Sequence, residues 1–98
     1  MPKKVYISGP ISGLEISVVR QRFDTAKKTL IEAGFTPVSP LENGLPLCAS
    51  YAEHMARDIE MLSECQAVYM LKDWEKSNGC KVEIGVAIKQ KKYIAFEQ

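Results

Sequence analysis

Residues 73–87 read D-W-E-K-S-N-G-C-K-V-E-I-G-V-A and follow, after Lys72, the apolar run A-V-Y-M-L at residues 67–71. A short apolar run before a polar turn is typical of a buried strand. Ser77, Asn78 and Gly79 are typical of a helix start, because short polar side chains or a bare backbone can serve the unpaired amides of a first turn. The stretch therefore predicts a strand, a polar turn and a helix that carries Glu83 in its first turns.

Glu83 is the candidate catalytic residue of this stretch. A carboxylate near a helix start interacts favourably with the positive end of the helix dipole, so we expect Glu83 to be ionised. Gly79 and Gly85 take little room, which would let a ligand approach on either side of Glu83. An ionised carboxylate at the carboxyl end of a strand is a candidate nucleophile. The alternative is a solvated helix glutamate without a chemical role, and Glu83 taken alone favours that alternative.

The composition predicts one soluble globular domain. The chain has 98 residues, of which 46% are hydrophobic and 26% charged, ordinary values for a globular protein. Thirteen basic and twelve acidic residues leave a net charge of +1, which predicts no broad basic surface for nucleic acid. No apolar run approaches the ~20 residues that a membrane span needs. The first residues lead straight into a strand and do not resemble a signal peptide.

The cysteine and histidine content argues against a metal centre. Cys48, Cys65 and Cys80 form no C-x-x-C pair and cannot all pair within one chain. The sequence has a single histidine, which does not favour zinc. We therefore expect no metal, no cofactor and a reducing, cytoplasmic setting.

Strands and helices are predicted to alternate along the chain. The predicted strands are residues 4–8, 35–39, 67–71 and 93–96, and helices are expected from about Ser17 to Gly34, from Ser50, and from about Ser77 to Lys91. The first helix has an apolar stripe, formed by Ile16, Val19, Phe23, Ala26, Leu30 and Ala33. Pro37 places the second strand at a sheet edge. Residues 40–49 form a loop that is either a binding loop or a surface loop that tucks its leucines onto the core.

The second helix places an acidic residue beside its apolar face. Ser50 and Glu53 predict a capping box, and the expected buried stripe is Ala52, Met55, Ala56, Ile59 and Leu62. A neighbouring stripe carries His54, Asp58, Met61 and Cys65. Asp58 is therefore a candidate crevice residue, or else a surface residue paired with a nearby cation. His54 is expected to be a hydrogen-bonded neighbour of Asp58.

This alternation predicts an α/β fold. We expect a small, doubly wound, flavodoxin-like or Rossmann-like parallel sheet of about four strands flanked by helices, in a single domain covering residues 1–98. In such sheets ligands bind outside the carboxyl ends of the strands, where the strand order reverses. The segments expected at this edge are residues 8–13, the 40s loop and residues 72–79.

Three sequence blocks carry a family resemblance. V-Y-I-S-G-P-I-S-G near the start, R-D-I-E-M-L-S-E-C-Q-A-V in the middle and S-N-G-C-K-V-E-I-G-V-A near the end resemble the signature blocks of the nucleoside 2-deoxyribosyltransferase superfamily. The chain is similar, more narrowly, to a branch of small and mostly uncharacterised domains in it. The resemblance runs from Lys4 to about Phe96 and implies an enzyme that breaks, and sometimes remakes, the N-glycosidic bond of a 2′-deoxynucleoside or its monophosphate.

The resemblance also implies roles for individual residues. Glu83 matches the nucleophile that forms a covalent deoxyribosyl intermediate, Asp58 matches an active-site aspartate that handles the leaving base or the sugar, and Tyr6 matches a tyrosine close to the nucleophile. Gly9 belongs to the turn approached by substrate, and Ser77 matches a serine at the 5′ end of the sugar. The implied substrate-binding set is Ser8, Gly9, Pro10, Ser12, Ser77, Asn78 and Gly79.

The sequence departs from the family pattern in two places. Pro10 and Ser12 stand where members that hydrolyse nucleoside monophosphates have a serine and an arginine. Gln66 stands where the block after the second helix often has an aspartate. The absence of the arginine favours nucleosides slightly over monophosphates.

The sequence is also compatible with two other functions, and it predicts self-association. A catalytically silent nucleotide-binding module of the same fold is the second hypothesis. A flavodoxin-like or receiver-like domain ranks last, because a receiver would want acidic residues where Ser8, Gly9 and Pro10 stand. We also expect a homodimer or a higher homo-oligomer. Its contact is expected on the second helix, through Tyr51, Met55, Met61 and Leu62.

Overall fold

The computed structural model describes residues 3–98 and shows strands and helices in strict alternation. The strands are β1 (Lys4–Ser8), β2 (Thr36–Val38), β3 (Ala67–Met70) and β4 (Tyr93–Phe96), and the helices are α1 (Ile16–Glu32), α2 (Tyr51–Ser63) and α3 (Asn78–Lys89). Short 3-10 turns at Pro40–Glu42 and Trp74–Lys76 lie in the connections that precede α2 and α3. The predicted boundaries differ from these by a few residues at most.

The four strands form one parallel sheet in the order β2-β1-β3-β4. Tyr6 of β1 lies between Val38 of β2 and Val68 of β3. The chain moves outward from β1 to β2 and then returns to the other side of β1, so the strand order reverses between β1 and β3. The α/β fold class is confirmed, and β2, which contains Pro37, lies at an edge as predicted.

The two faces of the sheet are covered unequally. One face carries Val5 and Ile7 of β1 and packs against α1 through Val19, Phe23, Ala26 and Leu30. The opposite face carries Tyr6, Val68 and Met70 and packs against α2 and α3 through Leu62, Cys80 and Ala87. Two helices thus cover one face, whereas a single helix covers the other.

The helix ends follow local signals. Gly34, with φ of 91°, adopts the left-handed conformation that commonly terminates a helix and stops α1 as predicted. Ser50 and Glu53 form the expected capping box at the start of α2. The predicted apolar stripe of α1 is correct at its centre but not at its ends, because Ile16 and Ala33 are exposed.

The buried face of α2 differs from the predicted one. Ala52 and Ala56 are exposed, whereas Asp58 and Leu62 are buried and the half-buried Met61 packs against the core. The helix is therefore rotated toward the stripe that carries Asp58. Small alanines bury little apolar area, so the larger Met61 and Leu62 determine which face packs inward.

This rotation removes Leu62 from the surface predicted for self-association, whereas Tyr51 stays exposed and Met55 and Met61 are half-buried. Leu62 has no exposed area and cannot contact a second subunit. A second group of exposed apolar side chains lies on the sheet face that packs against α1, where Phe35 is 38% and Tyr93 73% exposed. They border a hollow of about 290 Å³ that β3, β4 and the end of α1 enclose. No helix within residues 3–98 is long and apolar enough to cross a membrane.

We predict that the protein is a dimer whose contact is the part of this sheet face that α1 leaves exposed, around Phe35 and Tyr93. Light scattering at tens of micromolar should give twice the chain mass of 11.0 kDa. Tyr93→Lys should shift the mass toward that of one chain, because it places a charge in the apolar contact. Tyr51→Lys, at an exposed position of α2, is the matched control and should remain dimeric. A wild-type mass of one chain would contradict the prediction.

Candidate active site

The start of α3 places Glu83 against the sheet. The Ser77 side chain caps the helix by accepting a hydrogen bond from the Cys80 amide at 3.3 Å. Cys80, Glu83 and Ala87 follow at spacings of three and four, so all three point to the same side of the helix and all three are buried. Glu83 therefore lies under α3, next to the carboxyl end of β1.

Two hydroxyl groups of β1 hold the Glu83 carboxyl group. The Tyr6 hydroxyl donates to Glu83 Oε2 and the Ser8 hydroxyl donates to Glu83 Oε1, both at 2.6 Å. Tyr6 and Ser8 are two residues apart on one strand and so point to the same face. Both are fully buried. The pair determines the position of both carboxyl oxygens.

Burial makes Glu83 a weaker acid than an ordinary glutamate. It raises the pKa of Glu83 from 4.5 to about 7, partly opposed by the hydrogen bonds from Ser8 and Tyr6 and reinforced by the nearby charge of Asp58. Burial and the negative charges of Glu83 and Asp58 also raise the pKa of Tyr6, which therefore stays a hydroxyl donor. Glu83 is only 5% exposed, so the solvated-glutamate alternative is wrong. The expectation of an ordinary ionised group is wrong as well, because the effect of burial on the pKa outweighs that of the two hydrogen bonds.

Asp58 lies on the inner side of α2 and is 6% exposed. Its Oδ1 accepts a hydrogen bond from Asn43 Nδ2 at 2.9 Å. Burial raises the pKa of Asp58, and the Asn43 hydrogen bond is the largest opposing effect. Of the two alternatives for Asp58, the surface residue paired with a cation is therefore wrong. Its charge acts on both Glu83 and Tyr6, so the two carboxyl groups belong to one site.

The 40s loop supplies a residue that the sequence analysis did not identify. Asn43 is 5% exposed, and its Nδ2 also lies 3.0 Å from His54 Nδ1. The other ring nitrogen of His54 lies 3.1 Å from the Pro46 carbonyl oxygen. His54 is thus a neighbour of Asp58 through Asn43 and not through a direct bond. Asn43 precedes Gly44, a pair that ordinarily signals only a turn.

The residues of the turn after β1 that the resemblance implies for substrate binding differ in their exposure. Gly9 and Pro10 are buried, whereas Ser12 is exposed. A Cβ atom on Gly9 would lie 2.6 Å from Leu71 Cδ1, so this glycine is required for close packing between β1 and the end of β3. Ser8 donates its hydroxyl hydrogen to Glu83. In this arrangement that hydrogen is not available to another acceptor.

The first residues of α3 form an accessible border of the site. Asn78 is exposed and Gly79 is half-buried. A Cβ atom on Gly79 would lie 3.4 Å from Met55 Sδ and 3.7 Å from the Tyr51 hydroxyl oxygen. The first turns of α2 and α3 are therefore in close contact beside Ser77 and Gly79.

Arg22 is a cation at the same edge of the sheet. Its Nη2 donates to the Lys72 carbonyl at 2.7 Å, beyond the end of β3. Burial raises the pKa of the Cys80 thiol, and the charge of Arg22 is among the groups that oppose the rise. Arg22 lies at the margin of the apolar stripe of α1, where a long side chain can reach past the helix. Within residues 3–98, no three His, Cys, Asp or Glu side chains are grouped so that they could hold a metal ion.

Comparison with known proteins identifies a family and a fold. Residues 3–96 match the model of a family described as Domain of unknown function (DUF4406). The chain is similar to a solved structure of a 2-desoxiribosyltransferase from Leishmania mexicana, with a TM-score of 0.74 and 19% sequence identity. The match covers 97% of this chain and 63% of that chain, so this chain spans less than two thirds of that protein. At this identity the likeness shows the shared fold. No curated protein sequence matches the chain.

The raised pKa of Glu83 predicts how stability depends on pH. Below about pH 4.5 the carboxyl group is protonated in both the folded and the unfolded chain. Between 4.5 and about 7 only the unfolded chain releases the proton, so the free energy of unfolding should fall as pH rises through this window. A pKa difference of one corresponds to about 1.4 kcal/mol. Relative to wild type, Glu83→Gln should therefore gain on the order of 3 kcal/mol between pH 4.5 and 8.

Urea denaturation at several pH values measures this difference. Glu75→Gln replaces an exposed glutamate in the turn before α3 and is the matched control, whose pH profile should follow that of wild type. Parallel profiles for Glu83→Gln and wild type would show that Glu83 titrates normally in the folded protein.

Proposed function

We propose that this chain, which belongs to the DUF4406 family of domains of unknown function, cleaves the N-glycosidic bond of a small 2′-deoxynucleoside or nucleotide. The observation that carries the proposal is the buried Glu83 carboxyl group, held on both oxygens by hydroxyl donors at 2.6 Å. A carboxylate fixed in this way is suited to attack a sugar carbon along a defined direction. The structural likeness to a 2-desoxiribosyltransferase supports the same class of reaction.

Glu83 acts as the nucleophile in the first step. Its carboxylate oxygen forms a bond to C1′ of the sugar while the bond between C1′ and the base nitrogen breaks. The bonding electron pair leaves with the base, and the transition state resembles an oxocarbenium ion that the negative charge stabilises. The product of this step is a deoxyribosyl ester of Glu83.

Asp58 supplies the proton that the departing base requires. Burial raises the pKa of Asp58, so it retains a proton more readily than an exposed aspartate and can act as a general acid. In the second step another base, or water, attacks C1′ and gives its proton to Asp58, and the ester bond breaks. A second base gives transfer and water gives hydrolysis, each with retention at C1′ after two displacements.

Tyr6 and Ser8 position the nucleophile without taking part in proton transfer. Their hydrogen bonds stabilise the ionised carboxylate, which opposes the effect of burial. The ester oxygen in the intermediate carries less charge and accepts hydrogen bonds more weakly. Release of Glu83 in the second step restores both charge-assisted bonds and so favours turnover.

We predict that wild-type protein releases free base from at least one of the four deoxynucleosides or their 5′-monophosphates, measured by chromatography. Glu83→Gln should abolish release, because an amide is not a nucleophile toward C1′, and should keep the fold because its volume is almost the same. The wild-type rate should rise with pH as Glu83 ionises, with its pKa of about 7, and should fall again as Asp58 loses the proton that it donates. Release by Glu83→Gln at near the wild-type rate would exclude the nucleophile role.

Two measurements make this assay decisive. Acid quenching followed by mass spectrometry should show one deoxyribosyl group on the peptide that contains Glu83, and none in Glu83→Gln. Glu75→Gln is again the matched control and should react like wild type. Binding of a nucleotide without release from any of the eight compounds would contradict the proposal and support a silent nucleotide-binding module.

We predict that 5′-monophosphates bind no more than tenfold more tightly than the corresponding deoxynucleosides. The Arg22 guanidinium already donates to the Lys72 carbonyl, and neutral donors worth roughly 0.5–1.5 kcal/mol each suit a hydroxyl as well as a phosphate. Calorimetric titration at low and moderate salt measures the ratio. A larger ratio that falls with salt and disappears in Arg22→Gln, but not in the exposed control Arg20→Gln, would mean that Arg22 binds the phosphate.

A further inference from the structure

Asp58, the second carboxyl group of the site, is held by an uncharged side chain. Asp58 is 6% exposed, and none of the ion pairs within residues 3–98 includes it. The adjacent Arg57 is engaged elsewhere, since its Nε donates to the Asn43 carbonyl at 3.3 Å and its Nη1 lies 4.0 Å from Glu60. The hydrogen-bond partner of Asp58 is therefore the side-chain amide of Asn43.

Asn43 is held in a single orientation. Its Nδ2 contacts Asp58 Oδ1 and His54 Nδ1, and its Oδ1 accepts the Leu45 amide at 3.0 Å. If the amide were turned over, its oxygen would face the Asp58 carboxylate and its NH2 group would face the Leu45 N–H. Both contacts would be repulsive, so the hydrogen-bond network assigns the orientation.

The same network assigns the form of His54. Because Asn43 Nδ2 is a donor, His54 Nδ1 must accept and is unprotonated. His54 Nε2 then carries the hydrogen that is donated to the Pro46 carbonyl at 3.1 Å. His54 and Asp58 thus each accept one of the two hydrogens of Asn43 Nδ2. Both amide hydrogens of Asn43 are committed within the protein, so neither is free for a substrate.

Asn43 leaves one oxygen of Asp58 free. Oδ2 has no hydrogen-bond partner among residues 3–98. It also keeps some contact with solvent, because no fully buried side-chain oxygen or nitrogen in this part of the chain lacks a partner. Asp58 therefore presents a single open oxygen at the site that contains Glu83 and Tyr6.

We propose that Asn43 is the positioning residue that turns the free oxygen of Asp58 toward the glycosidic nitrogen. This inference rests on the proposed function, since it names the residue through which the general acid is oriented. Asn43 acts through Asp58 and has no contact with the reacting atoms. The 40s loop is thereby a part of the catalytic site and not only a cover for the core.

Asn43→Ala tests the proposal in the 98-residue chain. The rate constant kcat for base release should fall by roughly 10- to 100-fold, and KM should change by less than threefold, because only the orientation of the acid is lost. Asp58→Asn gives the loss expected without the acid. Glu42→Ala, an exposed neighbour in the same turn, is the matched control and should retain wild-type kcat.

A carbon-detected NMR titration of the Asp58 carboxyl group provides a readout that is independent of activity. Removal of the Asn43 hydrogen bond should move the Asp58 midpoint to higher pH, since that bond favours the ionised form. An unchanged midpoint in folded Asn43→Ala would overturn the proposal. A shifted midpoint in a protein that releases no base from any substrate would support the hydrogen bond between Asn43 and Asp58 and reject the proposed function.

The wild-type protein supplies the result if Asn43→Ala does not fold. The side-chain NH2 signals of Asn43 should titrate with the same midpoint as the Asp58 carboxyl group, and this step should vanish in Asp58→Asn. Asn43 signals that do not respond to pH at the Asp58 midpoint would overturn the proposal.

Discussion

The site depends on the burial of one carboxyl group beneath α3. Glu83 is removed from water by the packing of α3 on the sheet, and two hydroxyl groups replace the lost hydration at 2.6 Å. Burial of an ionised group without partners costs several kcal/mol, so Tyr6 and Ser8 are as necessary to the fold as to the chemistry. The balance leaves the pKa of Glu83 at about 7, where a small change of its surroundings alters its charge.

Much of the architecture could be predicted from local signals. Gly34 ended α1, Ser50 and Glu53 began α2, and Pro37 placed β2 at an edge, because each of these effects arises within a few residues of chain. The orientation of α2 could not be predicted in this way. Two adjacent stripes of that helix carry apolar side chains, and only the three-dimensional contacts with β1, β3 and α3 select the one that also carries Asp58.

The chemistry of the candidate site was only partly visible in the sequence. Tyr6, Asp58 and Glu83 were identified through blocks that resemble a family, and the structure brings these three side chains together. Their protonation was not predictable, because it depends on burial by elements far away in the chain. Asn43 and Arg22 carried no signal, since an asparagine before a glycine and an arginine on a helix are ordinary surface residues.

The spacing of the two hydroxyl donors links the site to the alignment of the central strand. Tyr6 and Ser8 alternate with the apolar Val5 and Ile7, which face α1. If β1 were displaced by one residue along β3, Val5 and Ile7 would lie opposite Glu83, and its buried carboxyl group would lose both donors. Each missing partner costs roughly 1–3 kcal/mol, so a fold in which β1 is displaced along β3 is less stable. Burial of Glu83 beside Tyr6 and Ser8 thus stabilises the observed register of β1 relative to one displaced by a residue.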